Sequence, residues 1–475
     1  MGKSDEEQEQ LFLTHQNLRG HGGHPFYEVL GRVLKKHGFD RYVEGLCEKF
    51  YAEQGRPSIA PGVYFRCLLV GYFEGIDSER GIAWRVSDSM SLRQFLGLVL
   101  SKNPPDHSTL SRTRRLIDLE THKQVFTWIL GLLAEAGLLS GKTIGVDGTT
   151  LEANAAMRSI VRRDDGQAYS DFLTDLAKAS GVETPTRQDL AKMDRKRPKK
   201  GSNEDWVNPN DPDAEIMKMK AGGTHLAHKM ENAVDMKDGA VVAVTLTGGA
   251  RHDTQTVEDT LEEAENNLRE VRENADPKTA KRIAQRIEEA VLDKGYHSNG
   301  VLMGLEQAEI RSYASEPDRG RRNWKDKHDE RDAVYRNRRR IRGERGKALL
   351  RQRGELLERP FAHALETGGM RRTHLRRHDN ILKRLLIHVG GVNLSLLMRR
   401  CFGVGTPRSL QGRRGLLAVL LHALMMLLAA LVELWERQRR SHGRSRPSDF
   451  GETRPAELAD SNLGPAGFPA FTTGC

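Results

Sequence analysis

Cysteine is scarce in this chain: four in 475 residues, Cys47, Cys67, Cys401 and Cys475, far apart and forming no CxxC pair. That scarcity excludes a disulfide framework and a structural zinc knuckle, and it fits a reducing compartment, so a cytoplasmic location is expected. The first residues, MGKSDEEQEQ, are charged, and with no apolar h-region among them no secretory leader is expected. Internal repeats at solenoid periods are also lacking. Long apolar runs are almost absent. The exception, LLAVLLHALMMLLAALV (Leu416 to Val432), is slightly short of a membrane span, contains His422 and is followed by WERQRRSHGRSR. It reads as a buried or subunit-contacting helix in preference to a membrane anchor.

Basic residues, by contrast, are abundant. Lys plus Arg number 75 against 65 for Asp plus Glu, a net charge of +10, which favours a polyanionic partner. The excess concentrates late in the chain, in RNRRRIRGER (Arg336 to Arg345) and RRTHLRR (Arg371 to Arg377). Such runs are either solvated helix faces or phosphate-binding surfaces, and charge alone leaves both open. The length allows one long domain or two to three ordinary ones.

Residues from about Leu11 to about Leu139 carry apolar positions at helical spacing, which predicts an all-α domain over 1–139. Within it, PPDHSTLSRTRRLI supplies a proline-marked turn, a cap at Asp106 or Ser108, and a helix bearing Arg112, Arg114 and Arg115. A DNA-reading helix has this form, and so does a surface helix with a basic end. The pattern changes at KTIGVDGTTLEANA, where the β-branched run Thr143 to Val146 predicts a strand ending on Asp147. A polar stretch over about 160–221 reads as a partly helical insertion with little core. HLAHKMENAVDM and AVVAVTLTG, joined by KDG, predict a hairpin beside the Asp147 strand. Two charged helices interrupted at Pro277 should follow, then a short strand delivering Asp293. The remainder to Arg440 reads as helical and basic, and 441–475 as a loose tail. The chain is therefore expected to be α/β: an all-α domain over 1–139, a mixed-sheet domain over 140–400 with helical insertions, and a helical C-terminal region over 401–440.

Asp147 and Asp293 each follow a short apolar strand and precede a glycine-containing turn, so both should project from the same sheet edge. Carboxylates so placed, with a third from a neighbouring helix, are the hard oxygen ligands that Mg²⁺ requires for phosphodiester chemistry. Either aspartate alone would read as a turn residue or a helix cap. His225 and His228, an odd number of positions apart on a strand, point to opposite faces and read as ordinary strand positions. His15, His21 and His24 sit in a glycine-rich stretch without acidic neighbours and are taken as non-ligands.

VDGTT around Asp147, LDKGYHS around Asp293 and RQRGELLERPFAH around Glu358 resemble the three catalytic boxes of the insertion-sequence-four/five superfamily of DDE transposases. The upstream segments PGVYFRCLLVGYFEGIDSERGIAWRVSDSMSLRQFLGL and PDHSTLSRTRR resemble the N-terminal helical domain of the group-five members. The resemblance implies a ribonuclease H-like catalytic core and a transposase that cuts and rejoins DNA. It implies two Mg²⁺ ions, with Mn²⁺ as a substitute, held by Asp147, Asp293 and Glu358. The implied partners are terminal inverted repeats and target DNA, bound by a homo-oligomer. Candidate DNA contacts are Arg112, Arg114, Arg115, Lys294, Arg336, Arg338, Arg339, Arg340, Arg351 and Arg353. The third box departs from the family pattern: where a Tyr, an Arg and a Lys flank the glutamate, this chain has Arg351, Gly354 and Leu365. Glu355 and Glu366 are therefore competitors for the third carboxylate. A catalytically inactive DNA-binding derivative and a membrane-tethered DNA-binding regulator are the alternative functions.

Overall fold

The computed structural model describes residues 23–52, 58–99, 101–197, 201–218, 222–318, 320, 322–410 and 424. The apolar run 416–432 and the tail 441–475 lie outside the described residues, Leu424 apart. Seven helices open the described chain: α1 (Pro25–Lys36), α2 (Phe39–Cys47), α3 (Pro61–Glu74), α4 (Glu79–Ser87), α5 (Met90–Phe95), α6 (His107–Leu116) and α7 (Leu119–Glu135). Their starts are set by side-chain caps. Ser78, Ser89, Asp106 and Asp118 each accept the backbone N–H three residues on, at the heads of α4 to α7. Each cap contributes about 1 kcal/mol. Asp106 is thus the cap of the arginine-bearing α6, and Ser108 donates to its carboxylate. Helix α3 is buried along nearly its whole length, Arg66 included, and the Arg66 guanidinium is matched by Asp40 at 2.9 Å.

The sheet is built from β1 (Thr143–Glu152), β4 (Glu215–Lys218), β5 (Thr224–Asp235), β6 (Val241–Gly248), β7 (Glu289–Leu292) and β8 (Arg311–Ala314). Strand β1 is central, antiparallel to β5 and parallel to β7. Strand β5 pairs on its other side with β6 and with the short β4, and β7 pairs parallel with β8. The architecture is therefore α/β with a mixed sheet. The β6 edge is closed by two asparagines: Asn393 exchanges two hydrogen bonds with the Val241 backbone, and Asn267 donates to the Val242 carbonyl. Covering an edge in this way removes a row of unpaired backbone groups.

Helix α10 (Asp253–Asn274) covers one sheet face, and α14 (Glu344–Phe361) covers the other. Between β1 and β4 the polar insertion forms helices α8 (Tyr169–Ala179) and α9 (Arg187–Lys196) and a two-stranded ribbon of β2 (Val161–Arg162) and β3 (Trp206–Val207). The insertion has a small core of its own around Trp206, with Ile160, Ala153, Ala214 and Leu226, where little core was expected.

Three local readings are corrected. Strand β1 does not stop at Asp147 but runs on to Glu152, held by β5. The second charged helix after Pro277 is only α11 (Pro277–Ala280). Beyond it Ala284 N–H donates to the Ser140 carbonyl and Glu288 N–H to that of Lys142, so tertiary hydrogen bonds override helix propensity. The region after Asp293 is not all helical, because α12 (Asn299–Gln307) is followed by β8 before α13 (His328–Arg342).

The helices before residue 139 and the sheet share one continuous hydrophobic core. Its keystone is α15 (His378–Phe402), which packs against α3, α7 and β6. Its length and apolar composition would suit a membrane span, but 89% of its most apolar window is buried inside the protein, as in the core helix of a folded domain. Two buried imidazoles flank this junction. His122 on α7 donates to the Asp118 carbonyl and accepts from the Tyr64 hydroxyl, and His388 on α15, a single donor when neutral, lies between the Gly368 and Arg384 carbonyls.

Burial pushes both imidazoles down to about 3, so the folded chain keeps them neutral where the unfolded chain protonates them near pH 6.5. Their stabilising contribution is complete above about pH 6.5 and declines as pH falls toward about 3. Each costs up to about 1.4 kcal/mol per pH unit. The unfolding free energy measured in urea should therefore fall between pH 7.5 and pH 5, by up to about 4 kcal/mol for the pair. A double H122Q/H388Q variant should flatten that slope, and an unchanged slope in the variant would assign the acid sensitivity to other groups.

Candidate active site

Parallel pairing between β1 and β7 runs from Thr143–Glu289 to Val146–Leu292 and then stops. It stops because Asp293 turns the chain: its carboxylate accepts the Gly295 N–H at 2.7 Å and heads a short 3₁₀ turn, Lys294–Tyr296. Asp147 is the next residue after Val146, and Asp293 the next after Leu292. The two aspartates are thus neighbours on adjacent parallel strands, at the point where the sheet opens.

The electrostatics bear the marks of crowding. Burial raises the Asp147 carboxyl above the ordinary carboxylate range, the Arg353 guanidinium and the Gly148 N–H offset part of that, and nearby Asp293 and Asp253 add to it. Arg353 lies 3.0 Å from the Asp147 carboxylate. It gets there because α14 lies close over β1: Leu357 sits directly above Gly145, where a β-carbon would come within 2.6 Å of the leucine and 2.8 Å of the Met236 sulfur. A glycine at 145 is what lets the helix approach.

The opposite sheet face carries a second charged group. Lys229 is 7% exposed and lies 2.9 Å from Glu231 and 2.7 Å from Asp253. Glu231 is further bonded by Thr256, Thr260 and the Tyr296 hydroxyl, the last at 3.0 Å. Burial, followed by the negative charge of Glu231, Asp253 and Asp147, raises the Tyr296 phenol far above its ordinary value and keeps it a hydrogen-bond donor. Asp253 and Asp293 also approach each other, since a β-carbon on Gly295 would lie within 2.5 Å of the Asp253 carboxylate and 3.0 Å of that of Asp293.

Glu358 lies on an exposed side of α14. Its competitor Glu355 is paired with Arg359 at 2.6 Å, and Glu366 with Arg371. Among the described residues no three His, Cys, Asp or Glu side chains are grouped to hold a metal ion. Asp147 and Asp293 supply only hard oxygen donors, which suits Mg²⁺. Of the histidines, His225 is exposed, whereas His228 is fully buried and links Asp211 to His378, tying the insertion to the head of α15.

The basic candidates divide into two sets. Arg114 is held by Glu79, Arg336 by Glu306, Arg338 by Glu316, Arg340 by the Ser312 carbonyl and hydroxyl, and Arg353 by Asp147. Arg112, Arg115, Lys294, Arg339 and Arg351 are exposed. Sequence reading missed Lys229, Glu231, Asp253 and Asn232 as neighbours of the two aspartates. A signal was present in HKMENAVD, where charged side chains interrupt an apolar strand that both faces of the sheet bury.

A family model described as a transposase domain matches residues 15–116, and one described as a transposase DDE domain matches residues 180–394. The chain belongs to the DDE transposases. Asp293 and Glu358 fall inside the second match, and Asp147 lies ahead of it. No curated protein and no solved structure matches this transposase.

The Lys229–Glu231–Asp253 group gives a stability test. Removing the lysine leaves a carboxylate that is 2% exposed without its cation, so Lys229→Met should cost about 3–5 kcal/mol in urea unfolding. Adding Glu231→Leu should recover most of the loss. A Lys229→Met variant as stable as the parent would show that the pair contributes nothing.

Proposed function

We propose that this transposase catalyses metal-dependent strand cleavage and strand transfer at the ends of an insertion sequence, with Asp147, Asp293 and Glu358 as its carboxylates. The observation that carries the reading is the β1–β7 register, which makes Asp147 and Asp293 adjacent at an open sheet edge. The strand order β6-β5-β1-β7-β8, antiparallel on one side of β1 and parallel on the other, supports a ribonuclease H-like core. Glu358 is assigned from the resemblance of RQRGELLERPFAH to the third catalytic box, on the helix that packs over β1. Mg²⁺, with Mn²⁺ as substitute, would be held by these carboxylates, and when bound it supplies an acidified water and charge stabilisation at the leaving oxygen.

The chain's own residues do the rest. Asp147 and Asp293 fix two oxygen donors side by side. Arg353 balances Asp147 until cations arrive, and Lys229 neutralises the carboxylates behind them. Exposed Lys294, Arg339 and Arg351 in the catalytic region, and Arg112 and Arg115 on α6, are suited to phosphate contacts, whose number sets the salt dependence of DNA binding. Arg114, Arg336, Arg338 and Arg340, although part of the same basic runs, would have to exchange an internal partner first. The reading extends to terminal inverted repeats and target DNA as substrates, to a homo-oligomer on paired ends, and to action in the cytoplasm on the nucleoid.

The test is cleavage of a terminal-repeat duplex in Mg²⁺ or Mn²⁺. Asp147→Asn and Asp293→Asn should each lower the rate ~10³-fold or more while leaving DNA binding intact. Glu358→Gln should match them, and Glu355→Gln should not. Cleavage that survives Asp147→Asn would overturn the assignment, and wild-type protein that binds the duplex but never nicks it would replace the enzyme with an inactive DNA-binding derivative.

A further inference from the structure

We infer that Asn232 is a positioning residue of the carboxylate site, holding the hydration shell of the cation bound at Asp147. The inference rests on the reading of Asp147 and Asp293 as cation ligands and adds a residue outside the acidic set. Asn232 lies on β5 directly across from Asp147. Opposed residues of an antiparallel pair project to the same face, with β-carbons about 5 Å apart. Asn232 is 0% exposed, and among the described residues neither its amide oxygen nor its amide nitrogen has a hydrogen-bond partner.

Neither Asp147 across the strand nor the Arg353 guanidinium paired with it, whose Nε and Nη2 also lack hydrogen-bond partners among the described residues, engages the amide, and the other neighbours that the strand register names are apolar. Val244 opposes it on β6, Val234 is the next residue on the same face, and the Leu357 side chain closes over Gly145, which opposes Val234. An apolar residue of the same size would pack there without stranding a donor and an acceptor. A buried amide without partners is selected against unless something polar meets it.

The chemistry of Mg²⁺ supplies that partner. The ion binds through one or two carboxylates and keeps several of its waters, which must donate hydrogen bonds to the walls around them. One water spans the gap between opposed side chains on neighbouring strands. The Asn232 carbonyl would accept from a water of a cation held at Asp147, and its NH₂ would donate to the Asp147 carboxylate across the strand. Asn232 thereby orients the waters on Asp147 without touching the ion itself.

Mn²⁺ binding to the full-length protein, followed by calorimetry and by electron paramagnetic resonance, separates this role from a structural one. Asn232→Leu should fold with an unchanged or raised melting temperature in the absence of divalent ions, yet bind Mn²⁺ about 10–100-fold more weakly. Asn232→Ala should show the same loss of affinity, which excludes leucine's bulk as the cause. Asp147→Asn should lose binding at that position altogether. If both Asn232 variants bind Mn²⁺ like wild type while Asp147→Asn does not, Asn232 has no such role and the carboxylate reading stands. If wild type itself binds no Mn²⁺, the carboxylate reading fails and the role of Asn232 with it.

Discussion

The end of parallel pairing at Val146 and Leu292 is the constraint on which the rest depends. Strand β1 goes on for six residues beyond that point, paired with β5 on its other side and at its last residue, Glu152, bridged to Arg372, while β7 turns away through the Asp293 carboxylate. One unzipped ladder therefore does three things. It leaves two acidic side chains abreast, it opens the sheet edge to solvent, and it makes room for α14 to cross above. That crossing is close enough to require Gly145, and it brings Arg353 to Asp147.

Placing acids together at a half-buried edge is unfavourable, and the fold shows how it is tolerated. Two cations are paired with these acids, Lys229 with Glu231 and Asp253, and Arg353 with Asp147. Glu231 is secured by two threonine hydroxyls and a tyrosine as well as by Lys229, so its charge is well solvated inside the protein. Asp147 is less well provided for, and its raised carboxyl pKa expresses the deficit. A site left short of positive charge is one that gains from binding a cation, which connects the energetics of the fold to the chemistry proposed for it.

Much of this was legible in the amino-acid sequence where local chemistry decides. The β-branched run before Asp147, the KDG turn between two apolar strands and the turn after Asp293 each specify their own backbone, and the hairpin and the shared sheet edge follow from them. The helices of the first domain were legible in the same way, down to a cap at Asp106 or Ser108, of which Asp106 is the one used. What escaped was decided at long range. The length of β1 depends on β5, and the shortness of α11 on hydrogen bonds to Ser140 and Lys142. The full burial of α15 depends on helices far away in sequence, so its run of apolar and basic residues hid a core element. The arginines of α13 read as a free basic patch because Glu306 and Glu316, which engage Arg336 and Arg338, lie on separate segments. Glu358 was found through resemblance, and nothing in its own surroundings would have singled it out.

The most direct measurement is the anomalous scattering of Mn²⁺ in crystals of the full-length transposase. The account expects a peak within coordination distance of both the Asp147 and the Asp293 carboxylates, with Arg353 displaced from Asp147. A peak at only one of the two aspartates, or at neither with Arg353 still in place, would contradict it.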